Sequence, residues 1–135
     1  MADATQSYFL GPWQMTRIIE NVGTGVIGEV WGQAEFQPEE AGLTCREDGV
    51  LRFQGHDYHT GRTSRWRFPG GGRIAVDYED GRPFHDFLMQ RPISLQFSGE
   101  DRFEIRYDFD HGTWSSTWEM SGPSGLFMMT TRYRR

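Results

Sequence analysis

Turn-forming pairs and glycine clusters interrupt this chain about every 8 to 12 residues, and the stretches between them alternate apolar with polar side chains. The final third shows it best. Phe103, Ile105, Tyr107 and Phe109 interleave with Arg102, Glu104, Arg106 and Asp108; beyond His111-Gly112 the series resumes as Trp114, Ser116, Trp118 and Met120. A period of two puts one set of side chains on one face of a strand. No stretch sustains a period of 3.6, so helix bundles and βαβ units are excluded.

At 135 residues the chain makes one domain, read as 1–135 with residues 1–7 as a flexible start. Its core must be aromatic, because 36% hydrophobic content is thin without the five Trp, five Tyr and ten Phe. Seventeen glycines lie between short alternations rather than in one tract, as frequent tight turns require. The meander reads as follows: a strand from Trp13, a connection at Asn21–Gly25, a long strand Val26–Phe36, a break at Pro38–Gly42 and a hairpin turned by Asp48-Gly49. Then come a loop at Gly55–Gly61, a strand Arg62–Phe68 with Arg62, Ser64, Trp66 and Phe68 on one side, a break at Pro69–Gly72 and a second Asp-Gly turn at Asp80-Gly81. Consecutive hairpins favour an all-β, single antiparallel up-and-down barrel of about nine or ten strands over a Greek key.

Charge and composition exclude several functions. A net charge of −5 argues against nucleic acid as a partner. Every basic residue is arginine, which excludes Schiff-base chemistry and a phosphate-loop lysine. Cys45 is the single cysteine, so no intrachain disulfide forms, and a thiolate zinc site is not expected. Without a leader-like start or an apolar run of roughly 20 residues, the expected setting is cytoplasmic, with no membrane insertion. Gly23-x-Gly25-x-x-Gly28 matches the dinucleotide fingerprint by letter but joins two strands with no helix to follow. No Gly-x-Ser-x-Gly is present.

Gly11-x-Trp13 opening the first strand, with Thr131-Arg132-Tyr133-Arg134 in the last, resembles the lipocalin-like (calycin) superfamily. That resemblance implies that Trp13 closes one end of the barrel and that Arg132 or Arg134 packs across it. A closer likeness, to a small bacterial family of uncharacterised function within that fold, rests on an ordered set. It comprises Phe9-x-Gly11-x-Trp13-x-x-x-Arg17, Asp80-Gly81-Arg82-x-Phe84-His85-x-Phe87, Trp114-x-x-x-Trp118 and Gly122-Pro123. Where that family's pattern leads us to expect His-x-Cys, this chain has Ile93-Ser94-Leu95-Gln96-Phe97-Ser98.

Arg17 shares a face with Trp13, Met15 and Ile19, where an inward guanidinium either pairs with a carboxylate of the chain or holds an anionic ligand. His85 puts an imidazole on an apolar strand, able to orient a ligand or to act as acid or base. Trp66, Tyr107, Trp114, Trp118 and Tyr133 are inward by alternation, with small Ser116 leaving room between two tryptophans. His56-x-x-His59 makes no metal site in a strand, where residues three apart point oppositely. Haem on His59, His85 or His111 is conceivable by fold analogy alone. The expectation is a barrel that binds a small apolar or aromatic molecule, neutral or anionic, without a cofactor. Its rivals are an isomerase- or cyclase-like enzyme using His85 and a solid barrel that acts as an interaction or homodimerisation module.

Overall fold

A computed structural model describes residues 4–135 as ten antiparallel strands preceded by one short helix. The strands are β1 (Gly11–Asn21), β2 (Gly25–Glu39), β3 (Gly42–Phe53), β4 (His56–Gly70), β5 (Arg73–Tyr78), β6 (Pro83–Leu88), β7 (Ile93–Ser98), β8 (Asp101–Phe109), β9 (Thr113–Gly122) and β10 (Gly125–Arg134). They form one sheet in the order β6-β5-β4-β3-β2-β1-β10-β9-β8-β7. The first strand therefore meets the last, with Met15 opposite Tyr133 and Arg17 opposite Thr131. The seam of this nearly closed barrel falls between β6 and β7, neighbours in sequence that share no ladder. One bridge, Leu88 to Arg91, tightens the connection between them, and Gln96 Nε2 of β7 donates to Phe84 O of β6 at 2.5 Å.

Helix α1 (Ala4–Phe9) occupies most of the segment expected to be flexible, residues 1–7; residues 1–3 lie outside the described part. It is too short to hold by itself and is fixed by what it buries. Phe9 is fully buried in the base of the barrel, with ring centroids 5.1 Å from Trp66, 5.4 Å from Trp114 and 5.5 Å from Phe36. Trp13 is buried beside it and donates its Nε1–H to Phe9 O at 2.8 Å. Gly11 joins helix to strand at φ 102°, a conformation that side-chain-bearing residues rarely adopt. The arginine across Trp13 is Arg135, 3.7 Å from the ring, with Nη2 donating to Tyr8 O at 2.9 Å; Arg132 and Arg134 point outward and are exposed. Strand parity explains the correction. Tyr133 faces in, so its two neighbours face out, and only the residue past the strand end is free to fold under the base.

Asp48-Gly49 does not turn the chain. It lies inside β3, and the hairpin closes at Gln54-Gly55, both at positive φ. Gly49 sits opposite Gly32 of β2, and a Cβ on Gly32 would lie 2.2 Å from Asp48 O. The glycine thus serves close approach of two strongly coiled strands rather than a turn. His56 and His59, expected in a loop, are exposed positions of β4, and His59 pairs with Asp48. Val26 is 56% exposed because a bulge at Ile27 reverses the parity of β2. No helix among the described residues is long and apolar enough to cross a membrane.

Candidate functional site

Above the aromatic base the barrel is not filled. A cavity of about 520 Å³ lies between β4–β6 on one side and β7–β9 on the other. In-register pairing builds one wall, since Trp66 of β4 faces Val76 of β5, which faces His85 of β6. Tyr107 of β8 closes the chamber opposite, its ring 6.3 Å from Trp66 and 4.1 Å from Phe87. Phe84, Phe103 and Trp118 pack at 5.4 to 5.9 Å from one another. Tyr78, Phe97 and Met120 line the chamber's exposed part; Phe97 is 70% exposed.

Four of the expected residues line this chamber, namely Trp66, His85, Tyr107 and Trp118. His85 is 6% exposed, and its Nε2 shares a hydrogen bond of 2.6 Å with Tyr107 Oη, while Nδ1 is buried without a partner. Burial, reinforced by the Arg62 guanidinium, depresses the imidazole to about 4, so it is neutral near pH 7. Burial also raises the Tyr107 hydroxyl well above the usual phenol range. A neutral donor–acceptor pair facing an apolar chamber can orient a ligand, and an imidazole of such low basicity is a poor proton acceptor.

Arg17, Trp114, Ser116 and Tyr133 lie below the chamber rather than on its wall. Arg17 is 9% exposed, with Nε donating to Thr131 Oγ1 at 2.7 Å and Nη2 to Glu47 Oε1 at 2.8 Å. Trp114 stacks on Tyr133 at 3.8 Å, and Ser116 is buried opposite Tyr107. Trp114 and Tyr133 also border a second hollow of about 340 Å³ with Asp108, Arg132 and Arg134.

Glu47 and Arg62 are the residues the sequence reading missed. They sit opposite each other on β3 and β4, and Arg62 Nη2 donates to Glu47 Oε2 at 3.2 Å. Tyr133 Oη donates to the same oxygen at 2.7 Å. Burial pushes the Glu47 carboxyl up, but Arg62 and Arg17, with hydrogen bonds from Arg17 and Tyr133, outweigh it and hold the group below the usual carboxylate range. Arg62 lines the chamber with its guanidinium 4.6 Å from the Trp118 ring, and its Nε has no partner. The sequence signal for Arg62 was its place on the Trp66 face; for Glu47 it was the alternation Leu43, Cys45, Glu47, obscured by the supposed turn that follows.

Of the histidines weighed for haem, His59 and His111 are exposed and only His85 faces the chamber. Among the described residues, no three His, Cys, Asp or Glu side chains gather to hold a metal ion. Cys45 is buried, and that burial raises its thiol far above the range of a reactive cysteine.

The family model described as a family of unknown function, DUF6314, matches residues 9–135. The chain belongs to this family. No curated protein sequence matches it. Among solved structures the family member described here is similar to the S-type phycobiliprotein lyase of Guillardia theta, with a TM-score of 0.63 and 11% identity over 96% of this chain and 89% of that one. At that identity the likeness concerns the fold alone.

Proposed function

We propose that this protein binds a small, largely apolar or aromatic molecule inside its barrel, with access through the β6–β7 seam. The observation that carries the reading is the 520 Å³ chamber, walled chiefly by the rings of Trp66, Phe84, Phe103 and Trp118, with polar side chains such as Arg62 and His85 set among them. Cavities of roughly 300–1,000 Å³ with that balance suit drug-sized ligands. The phycobiliprotein lyase adds support at the level of architecture only.

His85 and Tyr107 then act as an orienting pair, with the imidazole held neutral by burial and by Arg62. Catalysis by His85 is the less favoured reading, because a base near 4 has little driving force at neutral pH. Native mass spectrometry of freshly purified protein tests the proposal. A single bound mass, or one taken up from a panel of lipids and aromatic acids, is the expected result. A chain that stays bare across the panel overturns it.

A further inference from the structure

Charge inside the barrel does not balance. Arg17 and Arg62 both reach Glu47, at 2.8 and 3.2 Å, so two guanidinium groups share one carboxylate. The other acids facing the chamber do not make up the difference. Asp77 is held on both oxygens by Arg67, at 2.7 and 3.1 Å, and Asp101 stands at the exposed rim. His85 is neutral near pH 7 and adds no charge to either side.

The surplus charge is localised. Arg17 is engaged with Thr131 and Glu47 and lines no part of the chamber. Arg62 also pairs with Glu47, but its side chain is 38% accessible, it borders the chamber, and its Nε lacks a partner. A guanidinium held on one side by a carboxylate and on another by the Trp118 ring presents its remaining edge in a fixed orientation.

We infer that the ligand is a monoanionic amphiphile, a carboxylate carried on an apolar or aromatic body, and that Arg62 holds the carboxylate. This rests on the chamber being a binding site. One surplus positive charge matches one carboxylate, whereas a phosphate dianion leaves a charge unpaired in the chamber. Planar guanidinium and planar carboxylate also match in hydrogen-bond geometry. Arg17 is a positioning residue, since it fixes Glu47 and Glu47 fixes Arg62.

A matched pair of probes tests this. 1-Pyrenebutyrate and 1-pyrenebutanol share one ring system and differ at the head group, and both report binding by energy transfer from the chamber tryptophans. The wild-type protein at pH 7.5 is expected to bind the acid at least ~10-fold more tightly than the alcohol. Arg62→Met is expected to erase that preference, so that the variant binds acid and alcohol with affinities within about twofold of each other, with Arg62→Gln serving if the first variant does not fold. Equal affinities in the wild type overturn the carboxylate assignment and leave the chamber reading intact. A preference that survives at Arg62 overturns the role of that residue. Binding of neither probe overturns the chamber reading and this inference together.

Discussion

Glu47 has a side chain only 4% exposed, carries one negative charge and accepts hydrogen bonds from Arg17, Arg62 and Tyr133. Removing it leaves two guanidinium groups facing each other in a confined space, the situation in which breaking a buried pair costs about 3–5 kcal/mol. Glu47→Leu is therefore expected to lower the stability measured by urea unfolding by that amount. His85 makes a separate, pH-dependent prediction. Its folded value near 4 lies below the ~6.5 of an unfolded histidine, so the unfolded chain binds the extra proton between those values. The stability this histidine supplies is complete above pH ~6.5 and is lost as pH falls toward 4. Comparing unfolding at pH 7.5 and 4.5, the wild type is expected to lose on the order of 2–3 kcal/mol more than His85→Gln. Equal losses would show that the imidazole is not held neutral.

At the scale of elements, the β2–β3 pair carries the sharpest test. Gly32→Ala places a methyl group 2.2 Å from Asp48 O, a backbone atom that cannot step aside, so the two strands must separate. Overpacking of this kind costs about 1–3 kcal/mol. Gly23→Ala in the neighbouring turn meets only Asn21 Oδ1 at 3.5 Å and is expected to stay within about 0.5 kcal/mol of wild type. The same pair shows where sequence reasoning went astray. Asp-Gly between two alternating runs reads as a hairpin, yet here the glycine answers a contact from another strand, which local sequence does not encode. That misreading ended the strand at Glu47 and hid the carboxylate that organises the interior. At the β6–β7 seam, Gln96 Nε2 donates to Phe84 O where no ladder exists. Gln96→Ala is expected to speed both uptake and release of a bound probe in stopped-flow fluorescence, with little change in their ratio.

For the whole molecule, alternation and turn spacing were enough to read about nine or ten strands in meander order, because all consecutive strands but β6 and β7 pair with each other and the pleat dictates which face is buried. Trp13 at the closed end was equally legible, since Gly11 and the inward parity are both local. Phe9 as the central plug was not, because a six-residue helix has no periodicity to detect and is held by rings from several distant strands. Nor was the seam between two consecutive strands, which arises from how the barrel closes. These unread features separate a filled base from an open chamber, and the chamber is the central claim. A fluorescence titration with N-phenyl-1-naphthylamine, a small neutral aromatic probe, tests it most directly. One saturable site, with quenching of tryptophan emission as the probe fills the space beside Trp66 and Trp118, is the result expected. A linear, unsaturable response with unchanged tryptophan emission would contradict the account.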